Sequence, residues 1–295
     1  MFDLIKYKNW FISISTLLTV AAVASMIALG FQSGIDVSGG TLWQIKFIDQ
    51  LVDVPRLEQF MKETVKLENF LVTASTDKNI FLIRTNTINE IQHQEYFQKL
   101  QSGFGKIEEL RFESIGPAIG RELRNKALIA FVMVLLGISL YVAFAFRKVS
   151  YPVSSWKYGV ITLVTLFHDA LIPAGVYAWF GYYKGVEVDT NFIVAILVII
   201  GFSVHDTIVV FDRIRENLIL QKGKPLANII NESVNQTFAR SVNTSLTLVI
   251  VLVALYLFGA AHLSYFVLTI LIGTVIGTYS SIFVASPLLT FLQKK

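Results

Sequence analysis

The sequence predicts a membrane α-helical protein with six transmembrane helices and one extracytoplasmic α+β domain inserted after the first helix. Of the 295 residues, 54% are hydrophobic and only 16% are charged, whereas soluble domains average roughly 45–50% and about 25%. The polar residues are concentrated in one stretch between the first two apolar segments. Together these observations indicate an integral membrane protein that carries one folded polar domain.

Six segments are long enough to cross a bilayer, which requires about 20 mostly apolar residues. They cover residues 10–31, 127–146, 158–180, 191–211, 242–258 and 263–292. The first is too long for the core of a signal peptide and lacks a convincing cleavage site, so we expect an uncleaved helix. The predicted domains are 1–31, the cytoplasmic N-terminus and first helix; 32–125, the α+β domain; and 126–295, a five-helix transmembrane domain.

The polar insert alternates strand-like pieces, rich in β-branched and aromatic residues, with pieces that have apolar residues at helical spacing. The strand-like pieces are TLWQIKF, NFLVTA, NIFLIRT and KIEELRFESIG, and the helix-like pieces are VPRLEQFMKETVKL and INEIQHQEYFQKL. Their order, β-α-β-β-α-β, predicts a ferredoxin-like sandwich.

Lysine and arginine predict the orientation, because they are enriched in cytoplasmic loops. They precede the first helix, separate the second helix from the third and the fourth from the fifth, and end the chain: Lys6, Lys8, Arg147, Lys148, Lys157, Arg213, Arg215, Lys222, Lys224, Arg240, Lys294 and Lys295. We therefore expect a multi-pass protein of the cytoplasmic (inner) membrane, with both termini in the cytoplasm and the α+β domain outside.

The expected cytoplasmic loop at residues 212–240 contains a candidate amphipathic helix. Its apolar residues fall on one face: Leu226, Ile229, Ile230, Val234 and Phe238. Such a helix either lies on the membrane interface or packs against a neighbouring cytoplasmic loop, and the sequence favours neither alternative.

Ionisable residues in or beside the apolar segments are the main functional candidates, because a carboxylate in lipid costs roughly 2.5–3.5 kcal/mol on insertion scales. Asp206 lies in the fourth segment, Asp169 lies in the third, and Arg240 precedes the fifth. His205 and His168 each precede an aspartate, and histidine can exchange protons near neutral pH. We interpret Asp206, Arg240, Asp169 and His205 as a candidate proton pathway, in which Arg240 acts electrostatically.

Structural roles compete with the proton pathway. Asp206 could instead form a buried ion pair with Arg240 or Arg213, or extend toward the cytoplasmic interface. The two histidines, His168 and His205, also suit helix packing or hydrogen bonding.

Several other kinds of site are excluded or not expected. There is no cysteine, which excludes disulfides, thiol catalysis and cysteine metal sites. Neither His–Asp pair has a visible third ligand for a metal, and we expect no cofactor and no enzymatic activity. The net charge of +4 comes without a basic tract interleaved with aromatic residues, so no nucleic acid is expected.

Small residues in the apolar segments predict close helix contacts. Gly273 and Gly277 form a small-xxx-small pair, which permits close helix packing, and we expect Gly137 and Gly201 to act in the same way. Pro173 is expected to kink the third helix just beyond its aspartate.

Two glycine-containing motifs join the insert to the membrane helices. GIDVSGGT (34–41) lacks the glycine spacing of a dinucleotide-binding turn, so we interpret it as a flexible turn, and SIGPAIGREL (114–123) forms the return. Since both ends of the insert must meet the bilayer, we expect the two junctions to lie close together. The candidate junction residues are Gly34, Asp36, Gly39, Gly40, Gly116 and Gly120.

Three stretches, GIDVSGGT, ESIGPAIGREL and VHDTIVVFDRIREN, resemble the SecF family of protein translocase subunits, which is related to exporters of the resistance-nodulation-division superfamily. The resemblance covers essentially the whole chain, with Val37 where the family usually has phenylalanine and His205 where it usually has asparagine. It implies a complex with SecD beside the SecYEG channel and its accessory subunits, using the proton gradient to promote late export of an unfolded polypeptide. It also implies that Asp206 and Arg240 are tied to proton flow, with Asp169 a secondary candidate.

Three other functions share some of these features. Half of a proton-driven small-molecule or lipid exporter of the same superfamily would share the buried charges, but one outer insert rather than two weighs against it. An intramembrane hydrolase would use two aspartates as a dyad, yet no Gly-x-Gly-Asp motif surrounds either aspartate. A passive assembly factor would use the charges only to hold helices together.

Overall fold

A computed structural model of the protein describes residues 3–74, 79–147 and 153–293. Lys148, Lys294 and Lys295, used above for the orientation, lie outside these ranges. The chain forms two compact units. One, the helical unit, comprises Met1–Gln32 and Leu128–Lys295, and the other, the α+β unit, comprises Ser33–Ala127.

In chain order, the helices are α1 (Lys8–Leu29), α2 (Ile35–Ser38), α3 (Val54–Phe60), α4 (Glu90–Phe104), α5 (Pro117–Ala145), α6 (Ser155–Lys184), α7 (Thr190–Leu220), α8 (Leu226–Phe258), α9 (Ser264–Ser280) and α10 (Ser286–Phe291). The strands are β1 (Gly40–Phe47), β2 (Leu71–Ala74), β3 (Ile80–Thr85) and β4 (Ile107–Ile115). Within the described ranges, six helices are long and apolar enough to cross a membrane, with α9 and α10 joined through a π turn at Ser281–Ala285 into one of them. The six predicted spans are therefore confirmed.

The α+β unit has the predicted β-α-β-β-α-β order. Its four strands form one sheet in the order β2-β3-β1-β4, with every neighbouring pair antiparallel. Trp43, Ile45 and Phe47 of the central strand are buried, as alternation along a strand with one covered face requires. The helices cover this face, with Leu57 of α3 and Leu100 of α4 fully buried in the same core. The order and directions are those of a split β-α-β fold.

The helical unit has a buried centre and an exposed periphery. Half or more of the residues in the membrane-length windows of α6, α7 and the α9–α10 segment are buried, against fewer than one fifth in α1, α5 and α8. Glycines permit the closest approaches: a Cβ on Gly273 would lie 2.3 Å from Ile199, and one on Gly175 would lie 2.5 Å from the Cα of Ala22. Helix α9 therefore packs tightly on α7, and α6 packs tightly on α1.

The expectation of close contacts at all four glycines was wrong for two of them. Gly273 and Gly277 do pack against α7, but nothing lies within 4 Å of a Cβ built on Gly137 or Gly201. Both of these glycines are exposed. A glycine in an apolar helix leaves room for a neighbouring helix to approach closely. Whether a helix lies there depends on the packing of the whole unit. Pro173 lies inside α6, which continues without interruption to Lys184.

Residues 212–240 are not a loop. Helix α7 continues to Leu220 and α8 begins at Leu226, so only a short turn joins them. At 1.5 Å rise per residue, 31 and 33 residues span about 46 and 50 Å, well beyond a hydrocarbon core of about 30 Å. Hydropathy marks only the part of a helix that suits lipid, and the polar extensions here remain helical.

The amphipathic segment at the start of α8 packs on protein. Leu226, Ile229, Ile230 and Val234 are at most 3% exposed, and three of the four join the main helical core with residues from the end of α7. Buried Asn217 of α7 also donates to Ser233 Oγ of α8 at 2.8 Å. Of the two alternatives, the membrane interface and a neighbouring segment, the structure shows the second: the start of α8 packs against the end of α7.

Hydrogen bonds collect several chain segments at one end of the helical unit. The backbone N–H of Ile5 donates to Asn231 Oδ1 at 3.0 Å, which joins the start of the chain to the first part of α8. Lys157 Nζ donates to the carbonyl of Leu292 at 2.6 Å, which joins the start of α6 to the end of the last helix. Lys8 Nζ of α1 also donates to Thr290 Oγ1 of α10 at 3.1 Å, which joins the two pairs of segments. The segments that carry most of the lysine and arginine of the helical unit therefore share one end.

Candidate functional site

Asp169 is the most completely buried carboxylate of the candidate pathway. Its side chain is 0% exposed, and it lies on α6 between α7 and α9. One oxygen, Oδ1, lies 2.7 Å from Nδ1 of His168. The other, Oδ2, accepts hydrogen bonds from Ser203 Oγ of α7 and from Ser280 Oγ of α9, the latter at 2.7 Å. Two hydroxyl donors and an imidazole nitrogen therefore converge on this carboxyl group.

Asp206 is also buried but has fewer donors. It is 2% exposed, and its Oδ2 accepts one hydrogen bond, from Ser245 Oγ of α8 at 3.1 Å. Thr278 Oγ1 of α9 donates in turn to Ser245 Oγ at 2.5 Å. Nδ1 of His205 is 3.8 Å from Oδ1, beyond hydrogen-bond range. Asp206 therefore lies within protein, and a charge on it is less well compensated than one on Asp169.

The two aspartates belong to one group of side chains, which we name the carboxylate–hydroxyl cluster. Its members are Asp169, Ser203, Asp206, Ser245, Thr278 and Ser280, from helices α6 to α9. Ser203 lies one helical turn before Asp206 on α7, and Thr278 lies two residues before Ser280 on α9. Gly277 makes this possible, since a Cβ there would lie 2.9 Å from Ser203 Cβ. The cluster therefore consists of two hydrogen-bonded groups, one around Asp169 and one around Asp206, which share helices α7 and α9.

The other two pathway candidates lie at the surface of the unit. His205 has a 61% exposed side chain, and Arg240 of α8 is exposed. Arg240 precedes Ser245 by five residues, an axial offset of about 7.5 Å, and among the described ion pairs none joins it to Asp206. Arg213 pairs instead with Glu216 at 2.6 Å. Neither arginine forms the buried ion pair considered as the structural alternative.

The hydroxyl members of the cluster were not predicted from the sequence. Ser203, Ser245, Thr278 and Ser280 resemble the many serines and threonines that bond within their own helix, as Thr162 does with the carbonyl of Tyr158 at 2.9 Å. Only the packing of four helices shows which hydroxyls face a carboxylate. The sequence contained one weak indication of these partners: Ser203 lies one turn before Asp206, on the same face of its helix.

The junction motifs lie within the α+β unit and contact each other. A Cβ on Gly39 would lie 2.6 Å from the Cα of Pro117, and one on Gly120 would lie 2.7 Å from the backbone nitrogen of Gly39. Gly39 and Gly40 have φ of +79° and +134°, values that disfavour any side chain. Gly116 has open space around it.

The first junction is more ordered than expected. Gly34 is extended and precedes the single turn of helix α2, which contains Asp36. The sequence predicted a flexible turn here. Ser38 Oγ donates to the carbonyl of Gly34 at 2.9 Å, a local bond that stabilises the helical turn.

Among the described residues, no group of three or more histidine, aspartate or glutamate side chains could hold a metal ion. The cluster contains two carboxylates in separate hydrogen-bonded sites, surrounded by hydroxyl donors. This chemistry suits proton binding and exchange.

Comparisons with known proteins relate this architecture to protein export. Residues 95–295 match the family described as "Protein export membrane protein SecD/SecF, C-terminal". Protein translocase subunit SecF of Thermobaculum terrenum is 41% identical over 100% of this chain and 95% of its own length. The SecF subunit of Synechocystis sp. is 35% identical over 99% of this chain and 94% of its own length.

Longer relatives carry both subunit names. Protein translocase subunit SecDF of Thermus thermophilus is 37% identical over 94% of this chain, which covers 37% of that protein. A crystal structure of SecDF from Thermus, described as a translocon-associated membrane protein, matches 98% of this chain with a TM-score of 0.82 and 34% identity. A second SecDF structure, in a super-membrane-facing form, matches with a TM-score of 0.69. In both structures this chain spans 38% of the SecDF chain.

Proposed function

The chain belongs to the SecF family of protein translocase subunits, and from this premise we propose that it works with SecD to couple proton movement to late protein export. As a family member it is a multi-pass membrane protein and a translocase component rather than an enzyme. The proposal concerns the energy source, the partner, the orientation and the residues involved.

The proposed partner is SecD, with the SecYEG channel and its accessory subunits beside the complex. Support comes from the SecDF relatives, in which sequence similar to this chain accounts for 37% of a longer protein named for both subunits. The helical unit also has extensive apolar surface on α5 and α8. A large second membrane subunit covering part of this surface is consistent with a transporter built from two related halves.

The proposed orientation places both termini in the cytoplasm and the α+β unit outside. Two observations support it: the positively charged segments meet at one end of the helical unit, and cytoplasmic loops are enriched in lysine and arginine. The translocating unfolded polypeptide would then be engaged on the outer side, where the α+β unit lies.

Asp206 is the proposed proton-binding residue. The observation that carries this proposal is its burial at 2% exposure with one hydroxyl donor, while the imidazole of His205 stays 3.8 Å away. A buried carboxylate with so little compensation is stabilised by binding a proton. One proton crossing a potential of 100 mV releases about 2.3 kcal/mol, enough to shift a conformational equilibrium.

Arg240 is proposed to control when the proton leaves Asp206. A guanidinium close to a carboxylate favours its ionised form, and none of the described ion pairs joins Arg240 to Asp206. In the proposed cycle, a conformational change brings Arg240 toward Asp206 and the proton is released. His205 and Asp169 are proposed as secondary members of the pathway.

The test is protein export into membrane vesicles that carry Asp206→Asn, with a proton gradient imposed and then collapsed. We expect the variant to co-purify with SecD and to lose only the gradient-dependent increase in export. Asp212→Asn is the matched control, because Asp212 lies on the same helix with a 54% exposed side chain. If Asp206→Asn retains the full increase, the aspartate is structural and the proposal fails.

A further inference from the structure

A buried ionisable pair on α6 is hydrogen-bonded to α7, the helix that carries the proposed proton-binding residue. His168 is 6% exposed, and its Nδ1 lies 2.7 Å from Asp169 Oδ1. The other ring nitrogen, Nε2, is buried and has no hydrogen-bond partner among the described residues. A buried polar atom without a partner is costly, so this nitrogen requires an explanation.

The contacts of Asp169 determine where the ring proton lies. Oδ2 already accepts two hydroxyl donors, from Ser203 and Ser280. An ionised carboxylate is an acceptor only, so with Asp169 ionised Nδ1 supplies the proton of the 2.7 Å contact. In the neutral ring, Nε2 of His168 then carries a lone pair. The side chain therefore presents a proton acceptor inside the helical unit.

Two other polar atoms lie on the helices that carry the pair and its donors. Pro173 has no N–H, so the carbonyl of Asp169, four residues earlier, lacks its usual helical donor. On α9, Thr274 Oγ1 is buried without a partner, one turn before Thr278 of the carboxylate–hydroxyl cluster. Buried groups of this kind usually bind internal water. A water near Nε2 would give it a partner and a source of protons.

Few other charges act on the pair. Two helices donate hydrogen bonds to it. Helix α7 presents Ser203, and its next ionisable side chains are the exposed His205 and, one turn after Ser203, the buried Asp206. Helix α9 presents Ser280, while the hydroxyl of the neighbouring Tyr279 bonds to the carbonyl of Phe11 on α1 at 3.3 Å. Asp169 is therefore the dominant charge at His168.

We propose that Nε2 of His168 is a second proton-binding site of the complex and that Asp169 stays ionised as its positioning residue. The inference rests on the proposed proton-coupled function. A proton from water binds the Nε2 lone pair and forms an imidazolium that pairs with the Asp169 carboxylate. Release of that proton from the same nitrogen to water restores the neutral ring with its proton on Nδ1. The pathway then holds two protons, one at His168 and one at Asp206.

If the role of His168 is purely structural, it only holds Asp169 in place. Substitutions of His168 by the two amide residues, asparagine and glutamine, distinguish this role from proton binding. In His168→Asn the side-chain amide nitrogen occupies the position of Nδ1, keeps the donor to Asp169 and cannot take up a proton. In His168→Gln the amide is nearer the position of Nε2, and the donor to Asp169 is lost. A structural role predicts that asparagine preserves function, whereas the proton-binding role predicts that it does not.

The first measurement is gradient-dependent export across pH 5 to 8 for the wild type, His168→Asn, His168→Gln and Asp206→Asn. We expect His168→Asn to assemble with SecD and to lose the gradient-dependent increase together with its pH profile. If His168→Asn keeps both while Asp206→Asn loses the increase, the inference is overturned and the proposed function stands. If Asp206→Asn also keeps the increase, the proposed function fails and the inference fails with it.

The second measurement does not depend on export and remains decisive if the variants fail to assemble. The chain contains four histidines, so ¹⁵N NMR of the histidine-labelled protein in detergent can assign each ring by replacing the other three one at a time. We expect His168 to show the neutral tautomer protonated on Nδ1 and to gain a proton on Nε2 between pH 5 and 8, where histidine changes charge. A ring that carries its proton on Nε2 when neutral, or that does not titrate in this interval, overturns the inference.

Discussion

Replacing Gly273 by alanine is expected to destabilise the helical unit at the contact between α7 and α9. The added Cβ would lie 2.3, 2.4 and 2.7 Å from Cγ1, Cδ1 and Cγ2 of Ile199, whereas carbon atoms normally approach to about 3.5–4.0 Å. Ile199 is 1% exposed and has little room to move. Such overpacking typically costs about 1–3 kcal/mol, partly offset by about 1 kcal/mol from the better helix propensity of alanine.

Gly201→Ala is the matched control, because nothing lies within 4 Å of its added Cβ. This variant should keep the gain in helix propensity without the clash. We expect it to be more stable than Gly273→Ala by about 1–3 kcal/mol, the overpacking cost. Equilibrium unfolding in mixed detergent micelles, followed by circular dichroism, measures the difference. Equal stability of the two variants would refute the close packing of α9 on α7.

Three further predictions concern other contacts. Gly39→Ala should lower the unfolding temperature of the full chain, because φ is +79° and the new Cβ would meet Pro117 at 2.6 Å; an unchanged temperature would contradict this. Glu90→Gln should flatten the acid limb of the stability curve, since hydrogen bonds from Gln94 and then from a neighbouring histidine lower the pKa of Glu90. That contribution is present above the unfolded-state pKa and is lost as pH falls through the folded-state pKa, so an identical acid limb would exclude it. Ser280→Ala should cost about 1.5–3 kcal/mol in the micelle unfolding assay, because it removes a buried donor to a charged group, and a loss below about 0.5 kcal/mol would argue against that bond.

The parts of the fold that could be predicted are those with a recognisable hydrophobic periodicity or composition in the sequence. Six apolar runs corresponded to the six helices, because a bilayer requires each spanning segment to be long and apolar. The β-α-β-β-α-β order was also predictable, because Trp43, Ile45 and Phe47 alternate along a strand while α4 has apolar residues at helical spacing. Asn89 and Gln92 even form a capping box at the start of α4, which fixes where that helix begins.

The remaining features depended on contacts between distant segments. Hydropathy ended the fourth span at residue 211, but α7 continues because its later residues pack against the start of α8. The two aspartates were identifiable as charges in apolar surroundings. Their partners, Ser203 and Ser280 for Asp169 and Ser245 for Asp206, were not. Charge alone also suggested a pair between Asp206 and Arg240, which lie apart because Arg240 faces outward on α8.

The uninterrupted length of α8 makes it a mechanical lever. Ser245, the donor to Asp206, lies 19 residues from the first residue of the helix, Leu226, which corresponds to about 29 Å along the axis. A tilt of about 5° about the Ser245 position would therefore move the far end by about 2.5 Å at this rise per residue. A protein bound at the polar end of the hairpin could thus respond to the protonation of Asp206, or change it, through the tilt of α8.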